Sequence, residues 1–249
     1  MPDIQAVTLD LWQTLIIDQR DWGRERARIR VEGAVAVLNE AGEHFTEELV
    51  TGAYRACYRT CRAVHEEGLD VSFKEQVQIF VRGIDGGLPE RISRETFAQI
   101  LDRYADSFFD APPVMADGVP EMLAGLRKRG LRIGLISNTG MTPGRLFRAY
   151  LEDLGIMEFF DHMTFSDEVL LSKPNKDIFL HSFAGLGCQA ERTVHVGDHL
   201  RNDIVGAQGV GVRTVWVAGF DTSGREVTPT ATIQHIADLP EALDRLQAG

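Results

Sequence analysis

Apolar positions along this chain follow two alternating rhythms. The short run Ile4–Leu9 is rich in β-formers and almost wholly apolar, as a strand buried on both faces of a sheet requires, and it stops at Asp10. From about residue 21 to 110 the spacing becomes helical, and it predicts helices near 21–42, 46–67, 73–83 and 93–109 with no comparable strand signal between them. Thr46 and Ser93, each followed by acidic residues in the next turn, mark helix starts. After the rigid exit Ala111-Pro112-Pro113 strands return. The pattern reads helix 117–129, strand 131–136, helix 143–154, strand 162–165, helix 175–186, strand 193–196, helix 202–209, strand 212–217 and a last helix near 239–247. Asp221–Thr230 reads as a loop. Such alternation implies right-handed crossovers and a parallel sheet covered on both faces. The expected fold is α/β, a doubly wound parallel sheet formed by 1–17 and 114–249, with an all-helical module, 18–113, inserted after the first strand.

Composition narrows the class. The chain has 249 residues, 44% hydrophobic and 25% charged, which suits an ordinary globular protein and excludes a disordered or collagen-like one. A net charge of −11 disfavours nucleic acid and anionic membranes as partners. No apolar run approaches the roughly 18–20 residues that span a bilayer, and the start MPDIQAVTLDLW lacks the pattern of a signal peptide, so a cytoplasmic location is expected. Three cysteines make no disulfide framework; Cys57 and Cys61, four apart on a helix, are expected to be reduced packing thiols. The basic cluster Arg24, Arg26, Arg28 and Arg30 splits into i,i+4 pairs that Glu25 and Glu32 can neutralise, so we expect a solvated helix surface rather than an anion-reading patch at a cleft. Four of the 26 basic residues are lysines, which makes Lys173 a minority choice.

Ligands of an open α/β sheet bind at the carboxyl ends of the strands. The residues there are Asp10-Leu11-Trp12-Gln13-Thr14, Ser137-Asn138-Thr139, Ser172-Lys173-Pro174 and Gly197-Asp198, followed by Asp203. Two carboxylates at Asp10 and Asp198 would repel each other unless a hard divalent cation sits between them, and Mg²⁺ takes one or two carboxylates plus phosphate and water. With that charge screened, Asp10 can approach a phosphoryl group as nucleophile. Ser137 and nearby amide N–H groups can hold phosphoryl oxygens, and Lys173 can offset the spreading charge. Each residue taken singly also fits turn or capping chemistry; the ordered set of four does not.

The segments VTLDLWQTL, LRIGLISNTG, FSDEVLLSKPNKDIF and TVHVGDHLRNDIVGAQGVGV resemble the haloacid dehalogenase superfamily, in the subfamily whose helical cap follows the first strand. The resemblance covers nearly the whole predicted core, while the cap matches in position and helical character alone. It implies Asp10 as nucleophile, Ser137, Asn138, Thr14 and Lys173 at the substrate, and Mg²⁺ held by Asp10, the Trp12 carbonyl and Asp198. Asp203 would stand outside the first coordination shell and orient a water or Lys173. A small anionic metabolite is the implied substrate, and a monomer or homodimer the expected assembly.

One position departs from the phosphatase pattern. Trp12 stands where a second Asp would protonate the leaving group, a role generally contributing about 10²–10⁴-fold. The resemblance therefore leaves several readings open. A Mg²⁺-dependent phosphohydrolase could take its acid elsewhere, from Asp18, His44 or His199. A 2-haloacid dehalogenase-like enzyme needs no acid because halide leaves unprotonated, although Gly197-Asp198 is intact and Gln13 replaces the glycine of that pattern. A catalytically weak scaffold could bind a ligand or partner. A phosphonate-cleaving enzyme would need a cap lysine, for which Lys74 is the candidate, and matches poorly. His195 is expected to pack in the core, His199 more evenly to pack or to face the cleft, and Phe45, Tyr54, Tyr58 and Phe73 to build the cap interior. Gly206, Gly209 and Gly211 close a helix instead of opening one, so a dinucleotide loop is rejected.

Overall fold

In the computed structural model, which describes residues 3–221, 223 and 226–248, the predicted rhythms become these elements. The chain runs through β1 (Ala6–Leu9), β2 (Ile16–Ile17), α1 (Arg20–Glu40), α2 (Glu47–Glu66), α3 (Phe73–Ile84), α4 (Leu88–Arg91), α5 (Arg94–Asp110) and β3 (Val114–Met115). It continues through α6 (Val119–Lys128), β4 (Arg132–Ser137), α7 (Gly144–Asp153), β5 (His162–Phe165), α8 (Ser166–Val169), α9 (Lys176–Leu186) and β6 (Thr193–Gly197). A π-helical stretch Leu200–Val205 then precedes α10 (Gly206–Gln208), β7 (Arg213–Val217), β8 (Ala231–Ile233) and α11 (Leu239–Ala248).

Six strands pair in the order β5-β4-β1-β6-β7-β8, all parallel. Every residue of β1 is buried, as a central parallel strand demands. The chain winds outward from β1 through β4 and β5, then crosses back to β6, so its direction reverses between β1 and β6. Ligand sites of doubly wound sheets lie at that reversal. Asp10 and Asp198 follow the two strands that flank it.

The predicted helix starts have a visible cause. The Thr46 and Ser93 side chains accept from the amides of Leu49 and Thr96. Cys57 and Cys61 are buried free thiols on the inner face of α2, as expected. Helices α5 and α7 meet through aromatic rings: Phe108 of α5 contacts Phe147 and Tyr150 of α7 at centroid distances of 5.3 and 5.2 Å. Where the chain leaves and re-enters the sheet region, β2 and β3 pair antiparallel.

Some expectations are corrected. The arginine stripe is not one solvated surface. Arg24 and Arg28 are exposed and paired with Asp21, Glu25 and Glu32, whereas Arg26 and Arg30 are buried, Arg26 against Asp18 and the Ala111 carbonyl and Arg30 against Tyr54, Tyr104 and Thr142. Tyr58 is exposed rather than part of the helical core, while Tyr54 and Phe73 are buried and Phe45 packs partly against it. The helix expected at 202–209 begins as the π turn at Leu200, a departure common near functional sites. Of the expected loop 221–230, Thr222, Gly224 and Arg225 lie outside the described residues, and the others carry no helix or strand. Among the described residues no helix is long and apolar enough to cross a membrane.

Candidate active site

The strand-end residues converge on one ammonium group. Lys173 Nζ donates to Asp10 Oδ1 at 2.5 Å, to Asp203 Oδ1 at 2.6 Å and to the Ile136 carbonyl at 2.8 Å. Its backbone is clasped by Asn138, which donates to the Lys173 carbonyl (3.0 Å) and accepts from the Lys173 amide (2.8 Å). The loop after β4 therefore fixes the lysine that the loop before α9 supplies. Asp10 is held from below by its own amide, which donates to the Val196 carbonyl at 2.8 Å. Asp203 takes its place because residue 197 has no side chain: a Cβ there would lie 2.3 Å from Asp203 Cγ. Asp203 also accepts from the His199 amide (2.9 Å), and His195 stands 3.4 Å away, its other ring nitrogen bonded to the Thr8 hydroxyl. Trp216 donates its indole N–H to the Asp198 carbonyl at 2.7 Å and steadies the turn after β6.

Asp10, Asp198 and Asp203 offer carboxylate oxygens that all lie within 4.8 Å of one another. One ammonium does not neutralise three carboxylates in a buried place, and the acidities respond. Burial pushes Asp10 up to about 7; Lys173 opposes that rise and the Asp203 charge adds to it. Burial, then the charges of Asp203 and Asp10, push Asp198 up to about 9. Asp203 goes the other way: burial alone would raise it, but Lys173 and His195 hold it well below the usual carboxylate range. Burial disfavours the Lys173 ammonium, yet Asp10 and Asp203 outweigh that and lift it to about 12. The surplus of negative charge beside an oxygen-only donor set suits a hard divalent cation.

The remaining predicted residues divide. Ser137 ends β4 fully buried, its hydroxyl making only a long 3.4 Å contact with the Asn138 carbonyl among the described residues. The Thr139 amide, by contrast, is spent on the Ser166 hydroxyl. Thr14 does not join the cleft that Trp12 and Asn138 share. Its hydroxyl, buried and unpartnered, lies with Gln13 on the wall of a separate 700 Å³ cleft beyond β7. The Trp12 cleft has a volume of 390 Å³, and Asp18, Arg26, Arg30, Tyr54, Thr139 and Thr142 are among its walls. Of the three candidate acids, Asp18 stands there, ion-paired with Arg26. His44 is bonded to Asn39 at the end of α1, and the His199 ring caps the π turn. Sequence reasoning missed the Asn138 clasp and the Thr8–His195–Asp203 chain, for which the period-2 placement of Thr8 and His195 on adjacent strands was the available signal, and it set Arg30 on a solvated surface where the structure buries it beside the cleft.

The model of haloacid dehalogenase-like hydrolases matches residues 67–217. Glyceraldehyde 3-phosphate phosphatase of Methanothermobacter thermautotrophicus is 41% identical over 130 residues, 49% of this chain and 55% of that protein. Phosphoserine phosphatase of Thermus thermophilus is 31% identical over 163 residues, 64% of this chain and 61% of that protein. The matched stretch thus spans less than two thirds of either relative. Among solved structures, a 2-haloacid dehalogenase from Pseudomonas syringae superposes with a TM-score of 0.70 at 22% identity, covering 98% of this chain and 99% of that one, a likeness of fold.

Proposed function

The chain belongs to the haloacid dehalogenase-like hydrolase family, and we propose that within it the protein is a Mg²⁺-dependent phosphohydrolase of a small phosphorylated metabolite, with Asp10 as nucleophile. In this reading 1–17 and 114–249 form the catalytic core and 18–113 a cap that covers it. The observation that carries it is the Lys173 ammonium bridging Asp10 and Asp203, with Asp198 in the same cluster. That arrangement sets a positive charge against the buried carboxylate that must lose its proton to attack, and leaves a cation site beside it. The names of the two curated relatives, both phosphatases, support the phosphoryl substrate.

Asp10, Asp198 and the Trp12 carbonyl would hold Mg²⁺, with Asp203 outside; when bound, the ion offsets charge shared by the carboxylates and the phosphoryl oxygens. An Asp10 carboxylate oxygen attacks phosphorus and the bond to the leaving oxygen breaks, giving an aspartyl phosphate. Water then attacks that phosphorus and returns Asp10 as carboxylate with release of phosphate. Ser137 donates to a phosphoryl oxygen, and Lys173 opposes the rise that burial imposes on Asp10 and so favours its attacking carboxylate form. The Trp12 indole cannot protonate a leaving alkoxide, so the substrate has a good leaving group or the proton comes through Asp18.

A second reading, hydrolysis of a carbon–halogen bond, is favoured by Trp12 itself, because halide leaves without a proton. A panel of phosphomonoesters and 2-haloacids, each with and without chelator, separates the two. We expect turnover of phosphomonoesters that chelator abolishes and Asp10→Asn lowers by at least about 10³-fold with the fold intact. Chelator-insensitive release of halide would replace this reading with the second. Inertness on both panels would favour a binding scaffold.

A further inference from the structure

Arg30 is 3% exposed and has no carboxylate partner among the described residues. Its three recorded bonds, each 3.1 Å, go to neutral oxygens: the Tyr104 carbonyl, the Tyr54 hydroxyl and the Thr142 hydroxyl. The guanidinium also lies 4.9 Å from the Tyr104 ring centroid. One turn earlier on α1, Arg26 is buried too, but Asp18 neutralises it. A buried cation without a counter-ion is costly, and neutral acceptors relieve only part of that cost.

The surroundings of Arg30 are matched to an anion. Tyr54 and Thr142 each spend an oxygen lone pair on Arg30, which leaves their hydroxyl hydrogens without a recorded acceptor. Two of the five guanidinium N–H groups are likewise unspent. Arg30, Tyr54 and Thr142 all line the 390 Å³ cleft, so the unspent hydrogens belong to groups that share one small space. Trp12 and Asn138 line it as well, and these connect it to the centre: Trp12 is two residues from Asp10, and Asn138 clasps Lys173.

We infer that Arg30, with the Tyr54 and Thr142 hydroxyls, forms a subsite for a second anionic group of the substrate, a carboxylate borne on the part of the molecule remote from the scissile bond. The substrate class is then a small phosphomonoester that is also a carboxylic acid. This rests on the phosphohydrolase reading for the other end of the molecule. The planar, always-charged fork of arginine suits bidentate capture of a carboxylate, and the two hydroxyls complete the donor set.

Binding of non-hydrolysable probes tests the subsite apart from the reaction. 3-Phosphonopropionate, in which a methylene replaces the ester oxygen, carries the carboxylate and propylphosphonate lacks it; both are titrated calorimetrically into the full chain with Mg²⁺. We expect 3-phosphonopropionate to bind about 10- to 100-fold more tightly, the range of a charge-assisted hydrogen bond. That ratio should collapse toward one in Arg30→Met and fall about 5-fold in Tyr54→Phe, the milder change should Arg30→Met not fold. Equal binding of the two probes by the unaltered protein overturns the subsite, as does a ratio that Tyr54→Phe and a folded Arg30→Met leave intact. Failure to hydrolyse any phosphomonoester, with the probe ratio present, overturns the phosphohydrolase reading and leaves the carboxylate subsite standing.

Discussion

Trp12 occupies the position where a proton donor is expected, and its ring has another task. The indole meets Phe147 of α7 at 5.3 Å and Phe108 of α5 at 6.4 Å, both edge-on, with the Arg26 guanidinium 5.9 Å from its centroid. It is a packing link between the helices and the sheet, so restoring a carboxylate there exchanges aromatic contacts for a charge against phenylalanine rings. Trp12→Asp should destabilise the protein by about 2–4 kcal/mol in urea titration, whereas Trp12→Phe should cost under about 1.5 kcal/mol. Equal losses in the two variants would show that the ring contributes no packing. Lys173 has the opposite character, a charge whose partners are all polar. Removing it in Lys173→Met leaves Asp10 and Asp203 buried without their cation, and we expect a loss of about 3–5 kcal/mol along with turnover. Stability within 1 kcal/mol of the unaltered protein, by the approximate scale for exposed pairs, would mean the bridge is screened like one of those.

At the scale of elements, the sequence was informative wherever periodicity and burial agree. The central strands, the long helices and their Thr46 and Ser93 caps were legible because each is set by contacts near in sequence. The short pieces β2, β3, β8, α4 and α8 were not, because two to four residues carry no measurable period. The two faces of α1 illustrate the same limit: Arg24 and Arg26 are identical in type, and only the packing of α5 and the 111–113 exit, which supplies a carbonyl to Arg26, separates them. Strand-end chemistry could be read because parallel sheets dictate where it collects, whereas the Asn138 clasp depends on two loops distant in sequence meeting. One such loop contact gives a pH dependence. Burial raises Asp167 of α8 to about 6, while the Gly144 amide at the start of α7 opposes the shift and Glu168 and Asp70 reinforce it. A folded acidity above the ordinary 3.8 means that its contribution to stability is complete below pH 3.8 and disappears as pH rises through about 6. Asp167→Asn should therefore flatten the stability profile between those values by about 3 kcal/mol, as read from denaturation midpoints. An unchanged slope would show that Asp167 titrates normally.

For the whole molecule, the carboxylate cluster ties metal binding to the fold. Asp10 and Asp198 are presented by the ends of β1 and β6 and Asp203 by the π turn, so their approach exists only when the central strands pair in register. An ion that binds this cluster and not the unfolded chain must stabilise the fold, by about 2.7 kcal/mol at a hundredfold excess over its dissociation constant. For a domain of this size each kcal/mol moves the melting temperature by roughly 2–4 °C, so Mg²⁺ should raise it by about 5–10 °C and chelator should reverse the rise. Asp198→Asn relieves the same repulsion covalently. That variant should melt higher than the unaltered protein without metal and respond little to Mg²⁺. Mutation and ion then act on one electrostatic cost and cannot add, as coupled sites do not. Additive effects would place the ion elsewhere on an acidic surface, and a melting temperature indifferent to Mg²⁺ would remove the metal site from the proposed mechanism.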